Sequence, residues 1–339
     1  MKKNNYLIII FIILLIFLIP KMVFSQVQVQ KNQGNAKDKM TIAYVPRSLD
    51  NPIFLDAFQN AQKKALELDV NLEWVSPFVY NEEEQIEIIE SLIERKVDGM
   101  VVSVNNTENY INVINKAVER GIAVATFDAD APDSIRIFHI GIDNYKAGQA
   151  TAEGLLDVLK KREVDYNNSD KKLNTMIMTG VKGAVNLDLR LAGFKDQIEN
   201  TNINVIDVIE NQDSVNLSVI LLEEYLENNS YIDIIFFVGG WPFYVPAEAL
   251  PNFQSWAESG GVAVGIDIFY DALLLQQRGL IQYLVGQDMA AMGSKGLESM
   301  YNYLKYGIEP EEFIETSLEI AKEENLEELL KKHLPWRVK

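Results

Sequence analysis

The chain has 339 residues, 48% of them hydrophobic, and its 49 acidic side chains outnumber 31 basic ones for a formal net charge of −18. That length suits two domains of about 130 to 150 residues, each burying its own core. The charge argues against contact with nucleic acid phosphates, which demand clustered Lys and Arg that the sequence does not show, and the absence of cysteine excludes both a disulfide framework and a lipid-modified thiol.

Residues 1–25 read as a secretion signal: Lys2 and Lys3 precede an apolar run over 6–19, then Pro20, with small Ser25 at a cleavage point. The run is shorter than the roughly 20 residues of a membrane-spanning helix, so an uncleaved anchor is the alternative reading. Residues 26–39 are polar without periodicity and form a flexible leader. The folded part starts near Met40.

From there the elements alternate. A strand over 41–45 leads to Asn51-Pro52, a helix cap followed by a residue whose φ already suits a first turn. The helix beyond carries Phe54, Phe58, Ala61 and Ala65 on one stripe. A strand at 71–75, a helix at 82–95, a strand at 99–104, a helix at 108–119 and a strand at 122–127 complete a βαβαβ series, and 137–142 adds a further strand. The second half repeats the plan. It has a helix over 147–160, strands at 171–179, 205–209, 232–238 and 262–266, helices at 186–199 and 215–227 and near 247–257, then 281–285 leading into a helix over 288–306. The tail, 325–333, is a charged amphipathic helix.

The two halves end their buried strands alike. Gly121-Ile-Ala-Val-Ala-Thr-Phe-Asp128 returns as Gly261-Val-Ala-Val-Gly-Ile-Asp267, each an apolar run closed by a carboxylate. Continuous apolar runs suit strands buried on both faces of a parallel sheet, and open α/β sheets bind ligands beyond the carboxyl ends of their strands. The fold class that follows is α/β, with two Rossmann-like domains whose cleft the acids face.

Asn51, Asn105, Asp128, Arg190, Asp267 and Gln287 each follow a strand or open a helix. Such hydrogen-bonding groups suit a neutral, hydroxyl-rich ligand, because every buried hydroxyl must donate and accept. Trp241, Phe54, Phe243 and Tyr244 offer flat apolar faces for the C–H side of a sugar ring. By spacing alone, Arg190 is equally a surface partner of Asp188, Asn51 a plain helix cap and Trp241 a core residue. Asp128-Ala-Asp130-Ala-Pro-Asp133 has alternate acids but lacks the glycine and the distal Glu of a calcium loop, so no metal is assigned. No nucleophile, phosphate-cradling or metalloprotease motif is present, and the only histidines are His139 and His333. Neither catalysis nor a cofactor is expected.

Ile42-Ala-Tyr-Val-Pro-Arg-Ser-Leu-Asp-Asn-Pro-Ile-Phe54, Thr126-Phe-Asp-Ala-Asp-Ala-Pro-Asp-Ser134, Ile140-Gly-Ile-Asp-Asn-Tyr-Lys-Ala-Gly148, Arg190-Leu-Ala-Gly-Phe194 and Val285-Gly-Gln-Asp288 resemble the ribose-binding-protein branch of periplasmic sugar-binding proteins, collinearly over about residues 40–310. The resemblance implies two lobes, 40–142 with 288–314 and 143–287 with 315–339, joined by a three-segment hinge that closes over one monosaccharide. It implies ligand contacts at Asn51, Phe54, Asn105, Asp128, Arg190, Asp267 and Gln287, to which the acid-rich stretch Thr126 to Ser134 adds Asp130. Ribose binders carry an Arg after the acid matching Asp128, where this chain has Ala129; the pattern is nearer to members that take glucose or xylose, as a hexose or pentose pyranose. The implied partners are the permease and ATPase subunits of an ABC importer, in the periplasm or at the cell surface, with membrane contact only through the transporter or an uncleaved signal. A sensor subunit presenting ligand to a receptor kinase or chemoreceptor is the alternative.

Overall fold

The computed structural model describes residues 39–167 and 170–334. The secretion-signal expectation and nearly all of the leader fall on residues 1–38 and lie outside the described residues. Among the described residues no helix is long and apolar enough to cross a membrane, and no group of three or more acids and histidines is placed to hold a metal ion.

The first half builds β1 (Thr41–Val45), β2 (Asn71–Trp74), β3 (Gly99–Val102), β4 (Ala123–Phe127) and β5 (His139–Gly141), connected by α1 (Leu55–Leu68), α2 (Glu82–Arg95) and α3 (Glu108–Glu119). After α4 (Asn144–Lys161) the second half builds β6 (Leu173–Thr179), β7 (Ile203–Glu210), β8 (Ile234–Phe237), β9 (Val262–Ile266) and β10 (Tyr283–Gln287), with α5 (Val185–Ile198), α6 (Val215–Asn228), α7 (Pro251–Glu258) and α8 (Tyr270–Gln277) between them. Then come α9 (Met289–Tyr306), β11 (Phe313–Glu315), β12 (Leu318–Ala321) and α10 (Leu326–Lys332).

Each half makes one sheet, in the orders β11-β5-β4-β3-β1-β2 and β12-β10-β9-β8-β6-β7. Among the described strands every pairing is parallel except β10 with β12. The apolar runs explain this: β3, β4, β8 and β9 are buried along their whole length, so helices must cover both faces. In both sheets the strand order reverses beside the first strand, at β1/β3 and again at β6/β8, and a crevice opens at such a switch point. Helix starts follow side-chain caps: Asn81, Thr107, Asp143, Ser214 and Asp288 each accept a hydrogen bond from the first turn of the helix they precede.

Among the described residues the chain passes from one sheet's layer to the other three times. After β5, α4 packs on β9 and β10; after β10, α9 returns to pack on α1, β3, β4 and β5; and β11 and β12, two residues apart, join opposite sheets. Three details differ from the sequence reading. The helix near 247–257 is broken into a 3₁₀ turn at Ala247–Ala249 and α7, because Leu250 precedes Pro251 and is held at φ −123°, ψ 54°, outside the helical region. Helix α8 and the short edge strands β11 and β12 carry too few residues for a period to show.

Candidate ligand-binding cleft

Asp128 follows β4 directly and Asp267 follows β9 directly, and both adopt left-handed backbone, with φ of 59° and 91°. Each N–H donates to a carbonyl of the next strand, Asp128 to Ile140 (3.1 Å) and Asp267 to Val285 (2.8 Å). The repeated strand-end acid is therefore also a repeated backbone break, one that aspartate tolerates better than most residues and that structures retain where it is used. Oδ2 of Asp128 accepts from Ser103 Oγ (3.1 Å). Asp267 accepts from the Gly240 N–H (2.9 Å) and from Gln287 Nε2 (2.7 Å).

These acids line one small cleft between the two sheets' strand ends. Arg47, Asn51, Ile53 and Asp128 come from the first half; Asn186, Leu187, Arg190, Trp241, Tyr244 and Asp267 come from the second, with Gln287 the last residue of β10. Arg190 is buried, not a surface partner of Asp188. Its Nε donates to Asn144 Oδ1 (2.8 Å) and its Nη1 to the Val238 carbonyl (3.1 Å). Trp241 stands on two glycines: a Cβ at Gly180 or Gly239 would meet its ring at 2.9 or 2.8 Å. Burial pushes the Asp128 carboxyl up, against the pull of Arg47 and Arg190, and pushes the Arg190 guanidinium down despite Asp267 and Asp128.

Five of the lining side chains carry buried polar atoms with no hydrogen-bond partner: Arg47 Nε and Nη1, Asn186 Oδ1, Arg190 Nη2, Tyr244 Oη and Gln287 Oε1. Native structures leave few such groups, because each costs about 1 to 3 kcal/mol when unpaired. The cavity they border measures about 20 Å³, against roughly 300 to 1,000 Å³ for small-molecule pockets. A larger one, about 580 Å³, lies beside it between the 244–248 turn and α8. Its lining is aliphatic at Val245, Pro246, Ala247, Leu274 and Leu275, and its one basic side chain, Arg278, is spent on Glu248 (3.5 Å), so the polar convergence belongs to the small cleft.

Three residues expected at the site do not line it. Phe54 is buried against Phe127, edge to face at 5.8 Å. Asn105 donates to Tyr80 Oη (2.9 Å), leaving its own Oδ1 buried and unpartnered. Asp130 is the clear correction. Arg136 takes both of its oxygens, at 2.5 and 2.6 Å, and Thr126 Oγ1 takes one as well, so this acid braces the loop after Asp128 instead of facing the cleft. Burial pushes its carboxyl up, but Arg136, His139 and Thr126 outweigh that and hold it below the usual carboxylate range. A depressed folded pKa contributes stability above the unfolded value near 4, which is lost as pH falls through the folded one. Asp130→Asn should therefore lower the melting temperature at neutral pH and flatten its decline below about pH 4; acid melts of the two proteins that stay parallel would contradict this.

Sequence reading passed over Asn186 and Leu187, which looked like an ordinary helix start, and Asp213, which lies in a polar turn with no pattern. Asp213 approaches Arg47 to 2.9 Å from the other half of the molecule, beside the cleft.

Residues 42–309 match the periplasmic binding protein domain. The curated relatives are binding proteins, not enzymes. The D-ribose/D-allose-binding protein of Pseudomonas aeruginosa is 28% identical over 180 residues, 50% of this chain and 53% of that protein, so the chain matches about half the length of this relative. The ribose import binding protein of Escherichia coli is 22% identical over 80% of this chain and 87% of its own. Among solved structures, an ABC transporter solute-binding protein of Burkholderia graminis in complex with D-arabinose is 28% identical, with a TM-score of 0.76 over 86% of this chain and 98% of that one. A glucose-galactose binding protein from Geobacillus stearothermophilus is 25% identical, with a TM-score of 0.74 over 88% and 100%. With residues 42–309 matched to that domain, and with two sheets of one strand order that are parallel except at the β12 edge, the chain belongs to the periplasmic binding protein family.

Proposed function

We propose that this protein is the solute-binding component of an ABC importer, secreted by its first 25 residues, and that it captures one neutral monosaccharide between its lobes. The observation that carries this reading is the set of unpartnered polar atoms on Arg47, Asn186, Arg190, Tyr244 and Gln287, gathered with the strand-end acids Asp128 and Asp267 around one cleft. Acceptors and donors interleaved in this way match a ring of hydroxyls, each of which must do both. Asn51 lines the same cleft, and Trp241 supplies the flat face for the ring's C–H side.

A cleft of about 20 Å³ admits no sugar unless the lobes part. The three crossings, at 141–144, 287–289 and 315–318, are the segments on which they would turn. Ligand that touches both lobes only when they are shut binds that form more tightly and draws the population to it. The relatives' named ligands, ribose, allose and arabinose among them, set the first panel. A thermal-shift screen of neutral pentoses and hexoses should show one sugar raising stability by about 2.7 kcal/mol at 100 times its dissociation constant. A flat response to every neutral sugar, repeated by calorimetry at millimolar concentration, would overturn the reading.

A further inference from the structure

Arg47 puts a guanidinium at the cleft wall, and Arg190 puts a second one within its field. Two buried cations would ordinarily invite an anionic ligand, since guanidinium pairs with carboxylate or phosphate in a bidentate fork. The first of them is already answered. Asp213, at the end of the turn after β7, lies 2.9 Å from Arg47 Nη1, and both side chains are buried, at 6% and 3% exposure. The pair joins the two halves of the molecule, because Arg47 follows β1 and Asp213 follows β7.

The turn is built to deliver that carboxylate. Gln212 and Asp213 are both left-handed, at φ 56° and 59°. The Asp213 N–H donates to Asn211 Oδ1 (3.0 Å), and the Asn211 N–H to the Thr179 carbonyl (2.9 Å). Gly180 leaves the carboxylate its room, since a Cβ there would meet Asp213 Oδ1 at 2.8 Å. Asp213 itself does not line the cavity, whereas Arg47 does. The ion pair is close but unaligned, so Nε and Nη1 of Arg47 keep their hydrogen-bonding capacity while the charge is compensated. With Asp128, Asp213 and Asp267 set against two guanidiniums, the cleft offers directional donors without a surplus of positive charge.

We propose that Asp213 is a specificity-determining residue: by neutralising and fixing Arg47 across the lobes, it makes the cleft select uncharged sugars over sugar acids. This rests on the sugar-binding reading above and names the ligand class within it. The experiment measures affinities of the purified protein by calorimetry for D-xylose, D-arabinose, D-glucose and D-galactose, and for D-glucuronate and D-galacturonate. The wild-type protein should prefer its best neutral sugar to its best uronate by at least about tenfold. Asp213→Asn, nearly the same shape, should cut that preference about tenfold or more through a gain in uronate affinity, because Arg47 is left with an unanswered charge. Arg47→Gln should weaken uronates at least as much as neutral sugars. If Asp213→Asn weakens both classes alike, Asp213 is a structural residue and the proposal fails. Should that variant not fold, Arg47→Gln decides alone, and any gain in uronate binding there overturns the proposal. A wild-type protein that binds uronates and no neutral sugar refutes this inference while leaving a binding role standing; one that binds none of the six and neither ribose nor allose, with Asp213→Asn binding none either, ends both.

Discussion

Gly193→Ala should lower stability by about 3 kcal/mol, or roughly 6 to 12 °C of melting temperature for a lobe of this size, although alanine is the better helix former. Helices α4 and α5 cross with their backbones in contact: a Cβ at Gly193 would lie 2.1 Å from the Tyr145 carbonyl oxygen, and one at Gly148 would lie 2.0 Å from that of Arg190. The obstacles are backbone atoms, so no rotamer change relieves them and the helices must separate. Separation also reaches the cleft, because α5 carries Arg190 and its bond to Asn144 ties it to the first turn of α4. Gly307→Ala is the comparison. That glycine caps α9 at φ 65° with nothing within 4 Å of a new Cβ, and its loss should cost only about 1 to 2 kcal/mol. Thermal melts in which the two variants lose stability equally would show that α4 and α5 adjust more freely than their contact suggests.

Asp267→Asn should weaken sugar binding by about 1.5 to 3 kcal/mol, roughly 10- to 150-fold, with a much smaller effect on the melting temperature. The carboxylate accepts from Gly240 N–H on one oxygen and from Gln287 Nε2 on the other. An asparagine retains one acceptor and turns an NH₂ toward a donor, and rotation of the Gln287 amide restores that contact by presenting its otherwise unpartnered Oε1. The fold therefore survives the change. What is lost is the ionised acceptor that ligand hydroxyls need, together with the orientation of Gln287. Calorimetry with the sugar found in the thermal screen checks this, and undiminished affinity would remove Asp267 from the ligand's contacts.

The double plan of the molecule was legible because it depends on local chemistry. β-branched runs such as Val262-Ala-Val-Gly-Ile266 form strands only if both faces are covered, and their recurrence at matching places required two sheets. The strand-end acids were legible for the same reason, since a carboxylate closing a buried strand needs a partner wherever the strand is placed. Asp128, Asp267, Arg190, Asn51, Trp241 and Gln287 do meet at one cleft. Asp130 was misread because its neighbours in sequence do not decide its direction. The left-handed turn at Asp128 and the reach of Arg136, six residues on, rotate it away from the cleft.

By itself, then, the sequence determined the periodicity, the repeat and the placing of hydrogen-bonding residues at strand ends, all of which follow from side-chain pattern over a few residues. Only the tertiary structure decided which of those residues face one another. Asp213 and Arg47 stand 166 positions apart and meet because β7 and β1 belong to sheets whose strand ends converge. The edge strands β11 and β12, three and four residues long, become strands because β5 and β10 offer them unpaired backbone. Such pairings are set by what lies across a sheet or a cleft, and a linear pattern carries no record of what lies across.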